Sequence, residues 1–162
     1  MPAGELVDAA TRKRLALDYC RLMNSGDVDG VLQLFAPDVR FEDPVGWTPV
    51  HGRAALRTHL ATAIAARVHE VPGVPAAAQD GRHVALPVTA TLDYLPMGAG
   101  LAAAGLIAAP RRPEAARLRF RLVSVMRVGP EQLLQHVRVF WGRSDITVLE
   151  DAVPPRMSAA DR

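Results

Sequence analysis

Hydrophobic positions in the first third of the chain recur at helical spacing. Leu15, Tyr19, Leu22 and Met23 fall at i, i+4, i+7 and i+8, one face of a helix expected over residues 5–24. Asn24-Ser25-Gly26 stops it. Asp27 suits the N-cap of a short second helix whose apolar stripe is Val28, Val31, Leu32 and Phe35. Pro37-Asp38 then turns the chain. Val39, Phe41 and Asp43 alternate with Arg40 and Glu42, which predicts a short strand ending at Pro44. A turn-rich loop over 43–49 leads to Gly52 and a third helix, with Leu56, Leu60 and Ile64 at four-residue spacing. The period changes in the second half. Val68–Val71 reads as a short strand, Val84–Tyr94 as a longer one, and Leu118–Val128 and Leu133–Trp141 as two long strands joined at Gly129-Pro130. Between Tyr94 and Arg117 lies a Pro/Gly/Ala-rich connection. It is long for a compact domain and is a candidate lid.

Helices first and strands after is an α+β order. N-terminal helices wrapped by a strongly curved, mostly antiparallel sheet make a cone with an apolar cavity, a natural site for a small apolar ligand. The length of 162 residues suits one domain, expected over 1–152, with a polar, disordered tail at 153–162. No internal repeat is present.

Composition removes several classes. The single cysteine, Cys20, allows no intramolecular disulfide and no cysteine-rich metal site. No run approaches the roughly 20 apolar residues of a membrane span. Glu5 and Asp8 sit where a signal peptide would have an apolar core, so a cytoplasmic protein is expected. Net charge is +2, and the basic residues, all arginine except Lys13, are dispersed apart from Arg111/Arg112 and the alternating series Arg117, Arg119, Arg121. Without a continuous basic stripe, nucleic-acid binding is not expected. His51, His59, His69, His83 and His136 lack metal-ligand spacing, which favours surface or hydrogen-bonded core roles and no metal. No phosphate-binding or nucleophile-elbow motif occurs.

Three residues could carry chemistry. Asp43 stands at a strand end, where a carboxylate either enters a cavity or caps its own turn. Glu70 has half-buried neighbours. It is either a carboxyl with a raised pKa, suited to acid catalysis, or an outward-facing strand residue. Tyr19 lies on an apolar helix face, and its hydroxyl needs a partner, either a ligand oxygen or backbone.

The segments Tyr19–Asp27, Leu34–Asp38, Phe41–Gly46 and His51-Gly52-Arg53 resemble the N-terminal half of bacterial ketosteroid isomerases, within the wider NTF2-like and SnoaL-like superfamily. The strands around Val123–Arg127 and Phe140-Trp141-Gly142 extend the likeness. That resemblance would put an isomerase base on Asp43 and an oxyanion-hole tyrosine on Tyr19. The second oxyanion-hole member, a protonated Asp, falls on Ser124, a weaker donor, and a further tyrosine falls near Leu60. A closer likeness joins Asp93–Gly98, the Ala/Gly-rich insertion and Trp141–Leu149. These resemble the epoxide hydrolase/cyclases of polyether ionophore pathways, the monensin and lasalocid type, over most of residues 10–150.

In that family an Asp of the E-D-P-V-G element pairs with a Glu about one helix and one strand later, here Asp43 and Glu70. The isomerases lack such a Glu. The resemblance implies an epoxide-opening cyclase or hydrolase that converts a linear polyketide epoxide into cyclic ethers, with Asp43 as base, Glu70 as acid and Tyr19 polarising an oxygen. The reverse acid–base assignment stays open, as does an isomerase, polyketide cyclase or dehydratase using Asp43 alone. Trp47, Tyr94, Leu95, Met97 and Trp141 are candidate cavity walls or ordinary core. No metal or organic cofactor is implied. A homodimer through the outer sheet face is plausible for this superfamily.

Overall fold

The computed structural model describes residues 6–150; the tail expected at 153–162 lies outside the described residues. Helix α1 runs from Ala9 to Ser25. It starts later than expected because the Asp8 carboxylate takes the Thr11 N–H at 2.7 Å, which fixes the N-terminus there. Gly26 closes it at φ 73°, donating its N–H to carbonyls of the last turn. Helix α2 is Val28–Leu32. Phe35, expected in its stripe, instead opens strand β1, Phe35–Glu42. Pro37-Asp38 does not turn the chain. It lies where the β1 register shifts between Phe35 and Arg40, and such an irregularity tolerates a residue with no N–H to give.

The remaining elements are β2 (Val50–His51), α3 (Gly52–Ala65), β3 (His69–Pro72), β4 (Ala76–Ala77), β5 (His83–Asp93), α4 (Met97–Ala103), β6 (Arg117–Val128), β7 (Leu134–Phe140) and β8 (Ile146–Leu149). The sheet order is β2-β1-β7-β6-β5-β3, with β4 beside β5 and β8 beside β6. Every pairing among these strands is antiparallel except β1 with β7, which run parallel. The sheet is curled and unclosed, and α1 and α3 pack on its inner face.

Strand alternation decides what the inner face receives. On β6, Leu118, Phe120, Ser124 and Met126 are buried, while Arg121, Val123 and Arg127 are exposed. The basic series Arg117, Arg119, Arg121 therefore takes the outer phase. One side of β6 is shared by two partners. Arg117–Phe120 pairs with β8 and Val123–Val128 pairs with β7, so the sheet splits beside Arg121 and Leu122. Trp141 leaves β7 at that split.

The 95–116 connection holds an unexpected helix. In α4, Leu101 and Gly98 are buried and Tyr94 lies beneath, 2% exposed. A Cβ at Gly98 would meet the Tyr94 ring at 2.2 Å, so only glycine allows this contact. At the other end of the molecule, buried Arg12 donates to the carbonyls of Val7 and Ala78 at 2.9 Å, which ties α1 to the β4 region. Among the described residues, no helix is long and apolar enough to cross a membrane.

Candidate active site

The inner phase of three strands converges on one cavity. On β1, Val39 and Phe41 point inward, and Asp43 follows in the same phase just past the strand end. On β7, Val137 and Val139 point inward, and Trp141 follows in phase. Because β1 and β7 are parallel neighbours, with Glu42 opposite Arg138, their inward residues emerge at the same end. On the far side, Glu70 of β3 is in register with Ala90 of β5, which is in register with Phe120 of β6. These three form a row across the sheet. Helix α1 adds Tyr19 and Met23 from its buried face, and α3 adds His59, Leu60 and Ala63.

The cavity encloses about 60 Å³ and opens to solvent at its mouth. Its apolar lining comprises Met23, Leu60, Ala63, Val68, Ala90, Leu92, Met97, Phe120 and Leu122; its polar groups are Tyr19, Asp43, His59, Glu70 and Trp141. A small apolar chamber with a few converging polar groups is the usual form of a small-molecule site.

Asp43 is held from two sides. Trp141 Nε1–H donates to its Oδ1 at 2.7 Å, and His59 Nε2 lies 3.0 Å from its Oδ2. The His59 ring rests 5.5 Å from Phe41, and the Trp141 ring packs edge-on to Phe120 at 4.9 Å and to Trp47 at 5.4 Å. Glu42, next in sequence, points the opposite way. Burial opposes its charge, but His136, 2.6 Å away, and the guanidinium groups of Arg40 and Arg138 hold its pKa below the ordinary value.

Glu70 sits in a different environment. The residue is half-buried, but its Oε2 is sealed from solvent and has no hydrogen-bond partner. Burial pushes the pKa from 4.5 to about 7; the neighbouring Cys20 thiol offsets part of the rise and the Asp43 charge adds to it. The Tyr19 phenol is raised well above its usual value by burial, then by Glu70 and Asp43, so it remains a neutral donor. Its ring is fixed by Phe35 at 5.9 Å and Phe41 at 6.5 Å.

The structure thus brings Tyr19, Asp43, Glu70, Met97 and Trp141 together at one cavity. It does not bring the other candidates there. Trp47 is 50% exposed and reaches the site only through its stack on Trp141. Tyr94 is buried under α4, and Leu95 is 43% exposed outside. Ser124 is on the inner face but lies one inward step beyond Leu122, the last β6 residue of the lining. For His59 the sequence favours a surface or hydrogen-bonded core role over ligation, without naming Asp43 as its partner. Its signal was its place beside Leu60 on the buried side of α3. No group of three or more metal-ligating side chains occurs among the described residues.

Paired carboxyls in unlike surroundings, a neutral phenol and an apolar chamber inside a curled α+β fold are groups able to give and take protons on a small molecule. The chain belongs to the SnoaL-like domain family, which matches residues 16–146. It is 44% identical over 148 residues to the epoxide hydrolase LasB of Streptomyces lasalocidi, covering 90% of this chain and 52% of LasB. The chain therefore spans about half the length of that relative. Among solved structures it is similar to SalBIII, an epoxide hydrolase/cyclase-like enzyme in pyran ring formation in the polyether salinomycin. That match has a TM-score of 0.73 and 33% identity, and covers 87% of this chain and 98% of SalBIII. A computationally designed 17-OHP binder shares the fold, with a TM-score of 0.69 at 19% identity over 87% of this chain and 98% of that one.

Proposed function

We propose that the protein is an epoxide-opening cyclase acting on a linear polyketide epoxide in polyether biosynthesis. The observation that carries this reading is the contrast between two carboxyls on one cavity. Asp43 accepts a hydrogen bond from Trp141, which can only donate, and is bound by His59. Glu70 has a buried, unpartnered oxygen and a pKa of about 7. The first suits a base and the second an acid. The likeness to LasB and SalBIII supports the same chemistry.

The substrate hydroxyl attacks an epoxide carbon and gives its proton to Asp43. The epoxide C–O bond breaks, and its oxygen takes the proton of Glu70. The Tyr19 hydroxyl donates to that oxygen as charge develops on it. One C–O bond forms, one breaks, and mass is unchanged. With water as nucleophile the same groups give a diol, the hydrolase outcome. The apolar walls around Met97, Phe120 and Trp141 fold the chain so that the distal carbon meets the nucleophile, which is orientation catalysis. The reaction as written runs without a cofactor. The absence of Ser124 from the cavity and the presence of Glu70 in it favour this reading over a steroid isomerase. Pairing of two copies through the outer sheet face belongs to the same reading and is measured by sedimentation.

The test is incubation with a linear hydroxy-bisepoxide, followed by mass spectrometry and proton NMR. Cyclic-ether signals at unchanged mass are expected. A product heavier by one water would mark a hydrolase. Full activity in both Asp43→Asn and Glu70→Gln would overturn the reading.

A further inference from the structure

Glu70 stands on β3, at the end of the sheet's strand order, and among the described residues no strand lies beyond it. Gly73 N–H donates to Pro87 O at 2.7 Å, and the β3–β5 register runs unbroken from there. In an antiparallel ladder, hydrogen-bonded pairs alternate with unbonded ones. His69/Thr91 and Val71/Thr89 are therefore the bonded pairs, and Glu70/Ala90 is an unbonded one. The N–H and C=O of Glu70 point away from the sheet, where a further strand would be.

One side chain takes both. Asn24 Oδ1 accepts the Glu70 N–H at 2.6 Å, and Asn24 Nδ2–H donates to the Glu70 carbonyl at 2.8 Å. An amide carries a donor and an acceptor side by side, as a neighbouring strand does. Asn24 is placed by the last turn of α1, two residues before the left-handed cap at Gly26. This is a solvent-exposed side chain on a helix end, 46 residues away in sequence, gripping the one backbone unit that carries the sealed carboxyl.

We propose that Asn24 is the positioning residue for Glu70: its amide substitutes for the missing edge strand and keeps the Glu70 carboxyl inside the cavity rather than in solvent. The chemical consequence rests on the epoxide-opening reading, but the placement does not. The titratable groups that face Glu70 are Tyr19 and Cys20 from α1 and Asp43 from across the cavity; the facing β5 residues, Ala90 and Leu92, are apolar. Without the clamp, β3 frays at its free edge and the carboxyl gains water. Its protonation then follows the ordinary carboxylate range.

The test follows the Glu70 side-chain carboxyl by carbon-13 NMR across pH, with Glu70→Gln identifying the signal. In Asn24→Ala the titration midpoint is expected to move from about 7 toward 4.5. Asn24→Leu keeps the side chain's size without charge and loses both donor and acceptor, so its midpoint is expected to fall as in Asn24→Ala. With a hydroxy-epoxide substrate, Asn24→Ala is expected to lower kcat about tenfold with KM nearly unchanged. A folded Asn24→Ala protein whose Glu70 midpoint stays at the wild-type value overturns the proposal, as does a loss of thermal stability with both midpoint and kcat unchanged. Should Asn24→Ala fail to fold, an unmoved midpoint in Asn24→Leu overturns it equally. A midpoint that moves in a protein showing no epoxide opening in wild-type form sustains the positioning role and overturns the assigned reaction alone.

Discussion

Trp141 Nε1–H donates to Asp43 Oδ1 at 2.7 Å across 98 residues of sequence. The same indole packs on Phe120 and Trp47, so one side chain is both cavity wall and orienting donor. Trp141→Phe separates these roles, because it keeps the ring stack and deletes the donor. A hydrogen bond to a charged partner is worth about 1.5–3 kcal/mol, which corresponds to a loss of about 10–100-fold in kcat with the fold intact. Steady-state kinetics beside a circular-dichroism melt check this; an unchanged kcat would show that His59 alone orients Asp43.

In the proposed reaction, Glu70→Gln removes the acid. Loss of one positioned proton-transfer group lowers kcat by about 10²–10⁴-fold. In the wild-type enzyme, kcat is expected to decline as pH rises through about 7, and a pH–rate profile measures that limb.

The same carboxyl gives stability a pH slope. Its folded pKa, about 7, exceeds its ordinary value of 4.5, so the folded chain binds more protons between those limits. This contribution is fully present below about pH 4.5 and is lost as pH rises through 7. Its upper limit is about 3 kcal/mol. Denaturant midpoints at pH 5 and pH 8 should differ in the wild type. Glu70→Gln should remove that part of the difference and gain relative stability at pH 8.

Gly98→Ala places a methyl against the Tyr94 ring. Overpacking of this kind costs about 1–3 kcal/mol. Because α4 also presents Met97 to the cavity, KM for an apolar substrate should rise together with the fall in melting temperature. A variant as stable as wild type would mean that α4 shifts freely over Tyr94.

Cys20 is 2% exposed, and burial, followed by the Glu70 charge, drives its pKa well above the ordinary thiol value. Iodoacetamide at pH 8 should therefore leave the folded protein unlabelled and modify it fully in denaturant, as intact mass spectra would show.

The sequence carried the helix-then-strand order, the inward phase of Val39, Phe41 and Asp43, and the buried face of α1 that holds Tyr19. These signals are local, set by a period of two or of 3.6. What escaped was non-local or too short to have a period. A hydrogen-bonded role for His59 in α3 is among the sequence expectations, but not its partner Asp43, because that contact depends on how the loop over 43–49 folds back on the helix. Trp141 was taken for apolar wall, since nothing in its neighbours announces a carboxylate 98 residues earlier. Strands β2 and β4 span two residues each. Helix α4 is obscured by Gly98 and Gly100 and by the preceding Pro96, and it holds by burying Leu101 and packing Gly98 on the Tyr94 ring. Tyr94, open in the sequence as cavity wall or ordinary core, is core, because α4 covers it.

The parallel contact between β1 and β7 has a consequence during synthesis. Strand β1 is made early and carries apolar Phe35, Val39 and Phe41, yet its long neighbour β7 follows some ninety residues later. A chain emerging from the ribosome holds Tyr19, Asp43 and Glu70 well before Phe120 and Trp141 exist. Until β7 arrives, the free edge of β1 is open to wrong partners, and early chain termination leaves fragments that hold Asp43 and Glu70 but lack Phe120 and Trp141.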